Sequence, residues 1–476
     1  MNKKFALLLV LLAAMVMGSV ASASAAEVKA TGTWQIAAEW MDRTGFSDNV
    51  ENNTFRIAQR MRTGFQFVAN ENLKAVLDTQ IGTANWGAGP LQIGSGRNPA
   101  AGAGSGNVNG GGIMLRNGYL AFNVPGTKIA STVGFQQVAL PSAVGGGSPI
   151  LDDHMGAAVV SVPVIDKTLA LVGGFGRALQ GTDVGGSGSA MDAAFLIADY
   201  NPTKGVNLKP YVAYAYAGAK SGVSAVTGFT GNNASLVDGV RAYYGGIAAE
   251  VSVFDPIKVM ADFHYGKATY GHTGASTPGD NRSGWLFDMQ IDYTGLSMMT
   301  PSLIFAYSSG EGNPNSNGSQ ATKNSGRMPV IGSPENYALG SFFLQGSNTF
   351  ADGIGGTNDT NLGYWTLGVQ LRDIKLIDKL SHTFNVLYFK GTNNDQYVRQ
   401  MGGRSDIVYG QFLTTKDSLW EIDLNTKYDI YSELAAYVSL GYINPDFDKG
   451  TWSAYSASNK GNKDAYRAAF TLTYSF

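Results

Sequence analysis

The chain has no cysteine, so neither disulfide bonds nor thiolate chemistry is available to it. Long apolar runs are equally scarce. Beyond the stretch Phe5–Val20 no segment is apolar enough to form a transmembrane helix. Charged residues make up only 15% of the sequence and nearly cancel, leaving a net charge of −2, a balance that suggests neither nucleic acid nor an acidic membrane surface as partner. Enzyme signatures are missing too: there is no H-E-x-x-H, G-x-S-x-G, Walker or G-x-G-x-x-G motif. The expectation is a protein that is not an enzyme and holds no cofactor. The four histidines, His154, His264, His272 and His382, are too dispersed for a metal cluster. With no Pro-rich or charged linker, one large domain is expected over 26–476.

What is present begins with an address. Lys3 and Lys4 precede the apolar run, and Ala-Ser-Ala-Ser-Ala follows it, the pattern of a signal peptide spanning 1–25. Its loss would leave 32 basic residues against 36 acidic. Downstream, segments of about ten residues alternate apolar and polar positions. The first places Val28, Ala30, Gly32, Trp34, Ile36, Ala38 and Trp40 on one face and Lys29, Thr31, Thr33, Gln35 and Glu39 on the other. The last, Asp464–Phe476, is similar, with Tyr466, Phe470, Leu472, Tyr474 and Phe476 on its oily side.

Eighteen such segments follow one another, separated in turn by short connectors and long Gly/Asn/Ser-rich ones. Only helices and closed barrels satisfy their backbone polar groups in lipid. The fold class expected is therefore all-β, a transmembrane antiparallel β-barrel of eighteen strands, with short periplasmic turns and long extracellular loops. Sixteen is the alternative count, because 113–124 and 191–218 alternate poorly. Trp40, Trp285, Trp365 and Trp420 near the loop ends, and Tyr200, Tyr293, Tyr428 and Tyr474 near the turn ends, fit two aromatic girdles.

The candidate solute pathway starts on the second strand, T-F-R-I-A-Q-R-M-R-T-G-F-Q-F-V, where Arg56, Arg60 and Arg62 share the polar face. They form either a positive strip in a wet lumen or a ladder of structural salt bridges. Arg116 is a further candidate for the strip, although the alternation around it does not fix its face. The third long connector, Val138–His154, mixes apolar residues with glycine and is expected to fold into the lumen, where Asp152 and Asp153 would face the arginines across a constriction. An ordinary surface loop is the alternative. Other lumen-facing candidates include Lys74, Asp78 and Arg467.

The order of these features resembles the trimeric general porins of Gram-negative outer membranes, most closely the homotrimeric porins of sulfate-reducing bacteria. The likeness rests on the alternating first strand, R-I-A-Q-R-M-R-T-G-F, L-K-A-V-L-D-T-Q-I-G, the N-V-P-G-T turn, V-G-F-Q before the third loop, and the terminal T-L-T-Y-S-F. It departs from them in strand count and in lacking a Pro-Glu-Phe-Gly-Gly-like third loop. The resemblance implies a homotrimer in outer membrane lipid, passive diffusion of small hydrophilic solutes and ions, and a terminus at Tyr474 and Phe476 like the one read by the barrel-assembly machinery. A mild anion preference is expected from the three-to-two basic excess. A substrate-selective channel with a lumenal site, or a barrel with adhesive loops, are the other readings.

Overall fold

The computed structural model describes residues 27–47, 53–87, 113–180, 188, 190–218, 239–270, 281–313, 325–332, 336–343, 363–400, 407–455 and 461–476. The segment 1–25, expected from sequence to be a signal peptide, and most of the connector 83–112 lie outside them.

Eighteen strands form one antiparallel sheet in which each pairs with its neighbours in sequence. They are β1 (Glu27–Asp42), β2 (Thr54–Asn70), β3 (Leu73–Asn85), β4 (Ile113–Asn123), β5 (Ala130–Ala139), β6 (Asp152–Ile165), β7 (Leu169–Gln180), β8 (Ala190–Thr203) and β9 (Val206–Ala217). Then follow β10 (Val240–Phe254), β11 (Ile257–Tyr270), β12 (Arg282–Tyr293), β13 (Thr300–Ser308), β14 (Tyr364–Ile377), β15 (Leu380–Gly391), β16 (Ser418–Asp429), β17 (Leu434–Asp446) and β18 (Ala465–Ser475). β1 pairs with both β2 and β18, so the sheet closes on itself. Closure removes every edge and pairs the backbone within the wall. The count is eighteen, and sixteen is set aside.

The poor alternation at 113–124 has a local cause. Asp78 lies opposite Asn117 and Thr79 opposite Leu115, so Arg116 is an extra residue in a β-bulge. A second register shift falls between Arg177 and Leu179 where β7 meets β8. Each shifts the inside-outside phase by one residue, which a period-two reading loses.

The seam between β18 and β1 is set by the last residue. Gly32 N–H donates to the Phe476 carbonyl at 2.9 Å and Phe476 N–H returns the bond at 3.1 Å. The Phe476 ring lies over Gly32, where a Cβ would come within 2.5 Å of it, and meets Trp34 edge-on with centroids 5.8 Å apart. Outward faces are largely apolar, with Val28, Phe55, Leu120, Val212, Leu303 and Phe470 all exposed. Such a surface is unsuited to water and matched to hydrocarbon.

On the long-connector side two short helices, α1 (Asp395–Gln400) and α2 (Lys449–Tyr455), pack together. Phe46, Tyr397, Phe412, Phe447 and Trp452 form a small apolar core between them. Buried Asp417 ties it, accepting bonds from the Thr414 and Asp448 N–H groups, both at 2.8 Å, and from Trp452 Nε1 at 3.1 Å.

Candidate functional site: the lumen wall

Along β11, β12 and β16 the inward positions carry Asp262, Asp288, Glu421 and Asp423, each no more than 1% exposed. Burial of four carboxylates demands compensation. It comes from two connectors folded into the barrel. Ala143 and Val144 N–H and the Ser142 hydroxyl, in the third long connector, all donate to Asp262 at 2.9 Å. The β13–β14 connector does the same for the others: the Tyr337 hydroxyl donates to Asp288 at 2.8 Å. Ser341 N–H reaches Glu421 and Asp423, both at 3.0 Å, and Phe342 N–H reaches Glu421 at 2.8 Å.

The two connectors also hold each other. Ile331 N–H donates to the Ile150 carbonyl and Ala338 N–H to the Gly145 carbonyl, both at 2.8 Å. Apolar residues of the third connector, Leu140, Val144, Ile150 and Leu151, are buried, as expected for a segment packed inside the barrel. The long β13–β14 connector, read from sequence as a possible adhesive loop, contributes buried Met328, Val330, Ile331, Leu339, Phe342 and Phe343. The inward placement of its described residues had a signal in the sequence, the adjacent apolar Phe342 and Phe343, that period-two counting ignores.

The opposite character appears on β1 to β4. Glu39, 2% exposed, accepts from Arg56 Nε at 2.9 Å and from Arg467 Nε at 3.1 Å. Arg60, also buried, donates to the Gln35 side chain at 2.8 Å. Arg62 donates to Gln80 at 2.7 Å, and Arg116 reaches the same oxygen at 3.4 Å and the His154 ring at 3.4 Å. Arg62, Arg116, Lys74 and Asp78 stay half-buried. A cavity of about 410 Å³ is lined by Thr31, Thr33, Arg62, Asp78 and Arg116, among others. Lys74 donates to Gln66 at 3.2 Å, and Asp78 accepts from Asn117 at 2.6 Å.

Two placements differ from the sequence expectation. Asp152 and Asp153 belong to β6, paired with Ala139 and Val138, rather than to a free connector. They adjoin the basic arc instead of standing across from it, since the next residue, His154, meets Arg116. Asp152, 1% exposed, is occupied by Gln137 at 2.6 Å and by Asn336 at 2.8 Å. Of the strip, Arg60 is buried rather than bathed in solvent. Gln80, Asn336 and Tyr337 were not singled out from sequence, and Gln35 and His154 were given no site role, because polar uncharged residues on an inward face carry no pattern of their own.

No protein-family model matches the chain, and no curated protein matches it. Solved structures do. Two crystal structures of the outer membrane protein OprD from Pseudomonas aeruginosa superpose with a TM-score of 0.51. At 13% and 14% identity they cover 96% of this chain, and 96% and 99% of their own. OpdQ from the same organism gives 0.49 at 11% identity, over 94% of this chain and 98% of its own. For the OprD structures, at these identities, the likeness is one of fold: an eighteen-stranded closed barrel.

Proposed function

We propose that the chain is an outer membrane porin, a passive water-filled channel for small hydrophilic solutes and ions. Its single strongest support is the division of the lumen wall. The inserted connectors cover the acidic arc, while Arg62, Arg116 and Lys74 line what they leave uncovered. A pathway confined to that side is biased toward anions. This reading includes export through a cleaved signal peptide at 1–25, a homotrimer of the kind found among general porins, and recognition of Tyr474 and Phe476 by the assembly machinery.

Reversal potential in a planar bilayer under a salt gradient tests the bias. Anion preference is expected, and Arg62→Ala with Arg116→Ala should reduce it severalfold in permeability ratio. Cation preference in the unaltered protein would overturn the reading. The cavity beside Arg62 and Arg116 favours a second reading, a channel with a binding site for small carboxylates. Current that saturates with such a solute and is blocked by it would select that reading.

A further inference from the structure

Outward positions in a membrane barrel should be apolar at mid-height and aromatic at the interface, and most of this wall obeys. An exception lies at the long-connector ends of β7 to β11. On β10 the outward residues are Arg241, Tyr243 and Ile247, interleaved with fully buried Ala242 and nearly buried Tyr244. On β11 they are Phe263, Tyr265, Lys267 and Thr269, interleaved with buried His264, Gly266 and Ala268. Arg241 and Lys267 are both exposed. Arg241 lies opposite Thr269, and Tyr243 opposite Lys267, so the two cations are diagonal neighbours roughly 7 Å apart.

Like charges that close repel unless an anion bridges them. The nearby carboxylate is already engaged: Asp192 takes Arg177 Nε at 2.7 Å and Nη2 at 2.9 Å. Among the described residues no carboxylate pairs with Arg241 or Lys267. Two cations at the turn end are treated differently, Lys128 pairing with Asp166 at 3.0 Å and Lys258 with Glu250 at 2.9 Å. Beside and below the two cations lie the exposed rings Tyr243, Tyr265 and Phe263, with Val212 next to them, all at least 41% exposed. The Tyr214 and Tyr243 rings are 5.1 Å apart. An aromatic belt with an apolar wall beneath it marks where acyl chains end and headgroups begin.

We propose that Arg241 and Lys267, with the Tyr216 hydroxyl paired across β9, bind the phosphate of a phosphorylated lipid in the leaflet on the long-connector side. A phosphate between two cations neutralises both through charge-assisted bonds, while its acyl chains lie along Val212 and Phe263. The inference rests on the barrel crossing a bilayer.

The test is native mass spectrometry of the full chain in detergent, counting molecules of diphosphorylated lipid A retained after washing, with inorganic phosphate as competitor. The unaltered protein should retain the lipid, and free phosphate should not displace it. Arg241→Gln with Lys267→Gln should retain roughly tenfold less. The charge-keeping pair Arg241→Lys with Lys267→Arg should retain it, as should Lys128→Gln at the other end. Heat-modifiable gel migration confirms that each variant is folded, and the single glutamine variants serve if the double one is not. Equal retention by the glutamine variants, equal retention of dephosphorylated lipid A, or an equal loss in Lys128→Gln would overturn the site. Failure here with channel conductance intact would leave the porin reading standing.

Discussion

At the scale of the residue, Glu39 decides the state of the upper basic wall. One carboxylate on β1 serves Arg56 on β2 and Arg467 on β18, and so spans the strands on both of its sides. Glu39 and the Arg467 side chain are 2% and 4% exposed, so removing the charge strands a guanidinium where water cannot replace the partner. Breaking such a buried pair costs about 3 kcal/mol. Glu39→Gln should therefore lower the temperature at which the barrel changes gel mobility, and it should increase anion preference in the same preparation. Unchanged thermal behaviour would show that water reaches Arg467. The shared face of Arg56, Arg60 and Arg62 was legible in the sequence, because period two follows from strand geometry alone. Their partners were not, since which side chain on β1 lies opposite depends on a register that no local pattern encodes. Arg116 was unreadable for a sharper reason: the bulge gives it no alternation to follow.

At the scale of the element, strands and connectors differ in what a sequence can say of them. The eighteen alternating segments were legible one by one, but the start of β6 at Asp152 was hidden, because Val138–His154 reads as a single connector. That segment is held by contacts far away in sequence: the third connector leaves β5 and is fastened by Asp262 on β11. Asp262→Leu removes the acceptor of three bonds, at about 1–3 kcal/mol for groups left unsatisfied. The connector should loosen, and single-channel current should become larger and noisier. A trace identical to the unaltered protein would place the connector's hold elsewhere.

The helical cap is an element with a pH response. Burial alone would raise the Asp395 carboxyl, but Lys416 at 2.8 Å and Arg399 hold it below the usual range. The Thr451 side chain and backbone do the same for Asp448. Groups depressed in this way contribute stability above the unfolded carboxylate value of about 3.9, and lose it as pH falls through their lower folded values. Asp417, pushed up by burial, acts in the opposite sense, its charged form costing stability above that range. With two depressed carboxyls against one raised, the cap should open below about pH 4. Pepsin cleavage within 392–417 should then accelerate while the strands stay protected. A rate that does not vary with acidity would refute this.

At the scale of the whole molecule, the closed ladder and the inserted connectors are separable. Every strand has both neighbours, and the seam is closed by Gly32 and Phe476, so the wall does not depend on what fills it. On the proposed channel reading, the filling instead decides which charges a solute would meet. Tyr337, Ser341 and Phe342 cover Asp288, Glu421 and Asp423, three acidic residues that would otherwise line the water path. Replacing 325–343 with a Gly-Ser linker should thus leave a folded barrel with a higher solute-size limit. It should also move the reversal potential toward cations, because the newly wetted carboxylates now oppose Arg62 and Arg116. Conductance that rises without this change of sign would mean that Asp288, Glu421 and Asp423 stay covered by another part of the chain. A barrel that no longer folds would mean that the third connector, held to this segment through Ile331 and Ala338, is part of the wall's own stability.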